Sequence, residues 1–295
     1  MSMVVLGEAG WRAERAEHER RVDAWLAPHL DRRRRGEKHP VEDFLFEYYS
    51  LRPGQLRRWH PGAGVGLEPG SAGPAEHAGW RWYRTDPDGV VHLDTGAYLA
   101  DRSESVRYIH RLLSAIASRP AFTGCFGLHE WAMVYRQGEH RHPLPLRLGQ
   151  AGTDAVVDGH PIRCSHFDAF RFFTPAAASL NRLQPTRDSQ VDLDQPGCLH
   201  AAMDCYKWAA KLGPAVPGDL LLDCFALARD VRRLDMRASP YDLAAYGEAP
   251  VAIETADGKA EYVTRQRAFA ERAAPLRARL VTACAALLET ASRAE

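Results

Sequence analysis

The stretch that decides the fold runs from Gln195 to Asp242 and reads QPGCLHAAMDCYKWAAKLGPAVPGDLLLDCFALARDVRRLDMRASPYD. Its apolar residues recur at three- and four-residue spacing on both sides of the GPAVPG segment, so the pattern predicts two amphipathic helices folded into a hairpin. On the first, His200, Asp204 and Lys207 fall at i, i+4 and i+7 and therefore project from one side. On the second, Asp223 and Asp230 are seven apart and share a face. If the two stripes are turned towards each other, a histidine, a lysine and several carboxylates meet in one cleft. If they are turned outwards, they are solvated helix faces and His200–Asp204 is an ordinary i,i+4 pair.

Working outward, Glu8 to Arg35 predicts a charged helix with Trp11, His18, Val22, Trp25 and His29 on its inner side. It ends in four arginines before Gly36, a basic last turn followed by the residue that favours helix termination. The next segment carries Arg52, Arg57, Arg58, Trp59 and His60, basic and aromatic residues interleaved as they are on single-strand-binding surfaces. Residues 61–79 are rich in Gly, Ala and Pro and predict a surface loop. The segment around the DPDG turn predicts a β-hairpin over residues 80–95, and Asp101 with Glu104 predicts a helix start. A short helix carries His129 and Glu130. Extended structure is expected over 144–168, which would put His166 and Asp168 on one face of a strand, and a second hairpin is expected over 250–263. A closing helix follows. The fold class expected is α+β, predominantly α-helical with short β-hairpins: an N-terminal helical arm (1–60) packing on a main domain (61–295).

Composition narrows the partners. Lys plus Arg and Asp plus Glu both number 38 in the 295 residues, so no overall field draws the chain to nucleic acid or to an anionic membrane. Six cysteines lie scattered without a CxxC pair, which suits reduced thiols and a cytoplasmic protein. No run is long enough to be a membrane span.

Seven stretches, EKHPVEDFLFEYY, LRRWHPG, GLHEWAMVYR, SHFDAFRFFTP, QPGCLHAAMDCYKWA, LDMRASPYDL and IETADGKAEYV, resemble a bacterial family labelled 3-methyladenine DNA glycosylase, over about residues 11 to 280. The resemblance implies hydrolysis of the N-glycosidic bond of alkylated purines in DNA, with no cofactor. That chemistry needs a carboxylate beside the oxocarbenium-like sugar, an aromatic pocket for the flipped base and cations on neighbouring phosphates. Asp204 and Asp235 fill the first role, with His200 and Glu130 as further catalytic candidates. Tyr206, Trp208 and Tyr241 fill the second, and Arg187, Lys207 and Arg237 the third. The residues also allow a metal centre of iron or zinc acting on a small molecule, with ligands among His129, His166, Asp168 and His200. A third reading is a non-catalytic binder holding an anionic ligand between Arg187, Lys207 and Arg237.

Overall fold

The computed structural model describes residues 3–292 apart from residues 50, 139 and 141. The chain is 57% helical with one small four-stranded mixed sheet, an α-rich α+β fold. The Gln195–Asp242 stretch forms the expected hairpin of helices Leu199–Leu212 and Gly218–Arg237. These pack on each other along a seam that includes Tyr206, Ala209, Leu222 and Phe225, all buried. A C-terminal helix, Ala256–Ser292, lies across both, and its other partner is helix Thr95–Ser118. Each fully buried leucine or phenylalanine of such a seam contributes roughly 1.5–3 kcal/mol, which makes the four-helix assembly the stable frame on which everything else is mounted.

The N-terminal helix spans Glu8–Arg35, buries Trp11, His18, Val22 and His29, and touches the second hairpin helix, where Trp25 meets Phe225; Trp11 instead donates to the Glu68 carbonyl and His29 meets Asp43 and Phe46. Gly36 stops it at φ 70°, and the Gly36 and Glu37 N–H groups donate to the Arg33 and Arg32 carbonyls. The sheet has the order β1 (Val4–Leu6), β2 (Val65–Leu67), β4 (Val91–Leu93), β3 (Tyr83–Thr85), with β1 parallel to β2 and the remaining pairs antiparallel. β3 and β4 are the hairpin expected around DPDG, where the Asp86 carboxylate accepts from the Asp88 and Val90 N–H groups.

Several expectations are corrected. Residues 61–79 are not simply a loop: they supply β2 and a short 3₁₀ turn, Glu76–Gly79. Gly66 is there because a Cβ would come within 2.7 Å of Val90 Cγ1 across the ladder. The helix after the hairpin begins at Thr95, capped by Asp94, whose carboxylate accepts from the Ala97 N–H. Asp101 instead receives hydrogen bonds from Arg81 and Trp82. The extended region expected at 144–168 contains helix Gly149–Asp158, since Thr153, Val156 and Val157 share a buried face. The hairpin expected at 250–263 is the start of the C-terminal helix: the Thr255 hydroxyl accepts from the Gly258 N–H, so ADG is a capped first turn.

The segment with Trp59 and His60 is an interior one. Trp59 is buried, and His18 Nε2 and His77 Nε2 each lie 2.9 Å from a backbone carbonyl, those of Leu56 and Trp59. His60 Nδ1 lies 3.0 Å from the Tyr83 hydroxyl. Burial lowers the pKa of all three imidazoles, that of His60 to about 3 from an ordinary 6.5. The folded protein therefore binds fewer protons here than the unfolded chain, so stability is complete above pH 6.5 and falls as pH drops below it. Each histidine adds a slope of up to about 1.4 kcal/mol per pH unit. Thermal denaturation from pH 7.5 to 4.5 should show this fall, steepening below 6.5. A flat Tm, or His60 protons titrating near 6.5 by NMR, would contradict it.

Candidate metal centre

Polar residues line the inside of the hairpin. His200, Asp204 and Lys207 share one side of the first helix, as their spacing predicts: His200 meets His129, and Asp204 and Lys207 meet Tyr49, His166 and Asp168. From the second helix the inward pair is Arg232 and Asp235, both buried. Asp223 and Asp230 face outwards, paired with Arg21 and Arg279 and with Arg272 respectively, which decides between the two orientations the spacing allows for that stripe. A third element, helix Leu128–Ala132, enters from the side after a left-handed Gly127 (φ 76°), and brings in His129 and Glu130. A Cβ on Gly127 would sit 3.1 Å from the Tyr262 ring, so glycine allows both the turn and the close approach.

The inner group is His129, His200 and Asp235. His129 Nε2 lies 2.7 Å from Asp235 Oδ1, and the His129 and His200 rings meet edge to face at 4.6 Å between centroids. One ligand atom from each residue falls within 4.8 Å of the other two, and among the described residues this is the group with that property. His129 and Asp235 are buried, whereas His200 keeps partial contact with solvent. Behind Asp235, Arg232 Nη1 reaches Asp235 Oδ2 at 3.3 Å and Glu130 Oε1 at 3.4 Å. On the far side of His129, Nδ1 is 3.5 Å from Cys125 Sγ.

A second layer begins at His166, whose ring stacks on that of His200 at 5.3 Å. His166 Nε2 is 3.4 Å from Asp204 Oδ2 and 3.7 Å from Asp194 Oδ2, and neither ring nitrogen has a hydrogen bond despite complete burial. Lys207 Nζ donates to Asp204 Oδ2 at 2.9 Å and to Asp168 Oδ2 at 2.6 Å, and the Tyr49 hydroxyl donates to Asp204 Oδ1 at 3.3 Å. His166 and Asp168 do not share a strand face. They open the short helix Phe167–Phe170, so Asp168 turns to Lys207 and Arg171 while His166 turns inwards.

Electrostatics follow from this crowding. Glu130, Asp194, Asp204 and Asp235 are four buried carboxyls, against two permanent cations close enough to pair with them, Arg232 and Lys207. The remaining compensation comes through protons. Burial opposes charge on His129 but Asp235 outweighs it and raises the pKa; burial likewise opposes charge on His166, and Asp194 and Asp204 raise it. Burial, reinforced by Asp235, raises Glu130, and burial raises Asp194. Asp204 and Asp235 stay ionised: burial pushes both up, but Lys207 with His166, and His129, hold them well below the carboxylate range. His200 is driven the other way, to about 3, by burial and by the charge on His129, so its nitrogens are neutral and free to act as ligands.

Two imidazoles and a carboxylate are a suitable donor set for a first-row divalent ion, whose charge would take the place of the proton on His129. Two ligands each about 2.1 Å from an ion stand roughly 3.0–3.4 Å apart. The 2.7 Å between His129 and Asp235 must therefore open by about half an ångström on binding, within reach of side-chain rotation.

The other expected residues fall outside this centre. Tyr206 is buried against Tyr49 and Phe225, and Tyr241 is buried in a small cluster with Val41, Val134 and Leu243. Arg237 ties the helix end to the following turn, donating to the Ala249 carbonyl at 2.7 Å. These three positions are structural, which corrects their assignment to ligand contacts. Trp208 and Arg187 line an open cleft next to Lys207. Sequence reasoning missed Arg232, Asp194, Tyr49 and Cys125. Of these, Arg232 and Cys125 had a local signal, their spacings of i,i+3 to Asp235 and i,i+4 to His129. Comparison with family models, with curated proteins and with solved structures found no match to this chain, and the site is read from its own geometry.

Proposed function

We propose that the protein is a metalloenzyme in which His129, His200 and Asp235 hold a first-row divalent ion, iron or zinc, that acts on a small molecule. The observation that carries this reading is the approach of three potential ligand atoms to within 4.8 Å inside the helix hairpin. Three protein ligands leave coordination positions open for water and substrate, on the side where His200 meets solvent. Asp235 and the histidines bind the ion. Arg232 fixes the carboxylate through its second oxygen, and Cys125 orients His129 through Nδ1, as outer-shell partners of metal ligands do.

The arginines that a DNA enzyme would turn to phosphates are largely engaged with acids. Arg57 pairs with Asp23 and Glu19, Arg32 with Asp43 and Glu42, and Arg35 with Asp31 and Glu37. This favours a small-molecule substrate over duplex DNA, which needs a free basic surface.

The test is metal analysis of the purified protein together with a chelation experiment. About one equivalent of iron or zinc is expected, lost in His200→Ala. Base release from methylated DNA serves as the parallel assay. Metal-free protein that removes alkylated bases at full rate would overturn the metalloenzyme reading in favour of the glycosylase chemistry implied by the resemblance.

A further inference from the structure

Beside the metal centre lies an open cleft of about 690 Å³, within the size range of small-molecule sites. Its walls carry four basic side chains, Arg111, Arg187, Lys207 and Lys211, and three acids, Glu104, Asp168 and Asp188. Asp168 is already taken up by Lys207 and Arg171. Arg111, Arg187 and Lys211 have no ion-pair partner among the described residues. Each stands instead over an aromatic ring, those of Tyr108, Phe167 and Trp208 at 6.0, 5.8 and 5.4 Å. Such stacking holds a cation in place without neutralising it.

The floor of the cleft leads to the centre. Lys207 reaches from it to Asp204, and Gln190 donates to Asp194 Oδ2 at 2.9 Å. These are the two carboxylates that flank His166, whose ring stacks on His200. A ligand in the cleft is therefore separated from the inner histidines by three successive shells of side chains: Lys207 with Gln190, Asp204 with Asp194, and His166.

We infer that this cleft binds an organic oxyanion, a carboxylate or a phosphate, gripped by Arg187 and Lys211, with its carbon skeleton on the Tyr108–Phe167–Trp208 side. The volume is several times what an inorganic ion fills, and the aromatic walls supply the surface for the rest. The inference goes beyond the proposed function: it assigns a ligand site of its own, set apart from the metal centre, and does not rest on that reading. None of the cleft's unpaired cations is a metal ligand, so binding can be measured without the metal.

Isothermal titration of chelator-treated and untreated protein with inorganic phosphate, phenyl phosphate and benzoate provides the test. Saturable binding of an aryl probe is expected at about 1 mM or tighter. It should be about tenfold tighter than for inorganic phosphate. Preference for phenyl phosphate or for benzoate identifies the oxyanion. The double variant Arg187→Gln/Lys211→Gln, at exposed positions, should keep its Tm and metal content and lose about tenfold or more in affinity. No saturable binding by roughly 10 mM, inorganic phosphate binding as tightly as phenyl phosphate, or an unchanged affinity in the double variant would overturn the inference. Failure of metal uptake with binding intact would instead count against the metal centre alone.

Discussion

Asp235→Ala is expected to lower stability by about 3–5 kcal/mol, the usual cost of removing one partner from a buried charge cluster. The carboxylate is fully buried and serves two cationic groups at once, His129 through Oδ1 and Arg232 through Oδ2. Without it, the Arg232 guanidinium is left inside the hairpin with Glu130 at 3.4 Å as its remaining carboxyl partner among the described residues, and that carboxyl is the one whose pKa burial raises. A loss of this size should lower Tm by roughly 10 °C in a chain of this length. Asp235→Asn keeps the volume and one acceptor oxygen, so it should recover part of the stability while still failing to retain metal. Thermal denaturation and metal analysis of both variants separate the two roles. An alanine variant destabilised by less than about 1 kcal/mol would show that Asp235 compensates little.

Lys207→Met is expected to cost about 2–4 kcal/mol, somewhat less because the side chain is 18% exposed and water can partly replace it. The ammonium joins Asp168 and Asp204, and burial fails to lower its pKa because those two carboxylates raise it further. Methionine fills the space and removes the charge, leaving Asp204 with His166 and the Tyr49 hydroxyl. Adding Asp204→Asn should then be less harmful than it is alone, with a coupling of about 1–3 kcal/mol in a double-mutant cycle. Additive effects in urea denaturation would mean that the pair is not a unit.

The hairpin and its polar first helix were legible because helical spacing fixes which side chains share a face, and His200, Asp204 and Lys207 do. The second helix was harder. A seven-residue period is satisfied equally by an outer and an inner stripe, and Asp223 and Asp230 proved to be the outer one. Asp235 was identified as a carboxylate of interest, but Arg232 was not, since arginine beside Asp230 and Arg233 looks like part of a solvated face. Tyr49 comes from a segment distant in sequence and Asp194 from the turn just before the hairpin, and tertiary packing brings them to Asp204 and His166. Of the two Gly-containing turns, DPDG marked its hairpin and ADG did not, for a local reason. The ADG after Thr255 suits a capped first turn of a helix as well as a hairpin, and the apolar face over residues 262–287, including Tyr262, Ala273, Leu280 and Leu287, decides between them. His166 and Asp168 were read at strand spacing, and the start of a short helix sends them to different partners.

The location of the metal tests the central claim most directly. Crystals of protein reconstituted with iron or zinc should give an anomalous-scattering peak, present above the absorption edge of that metal and absent below it, about 2.0–2.2 Å from a nitrogen of His129, a nitrogen of His200 and an oxygen of Asp235. A reconstituted protein with no peak at those residues, or with its metal bound elsewhere on the chain, would contradict the account.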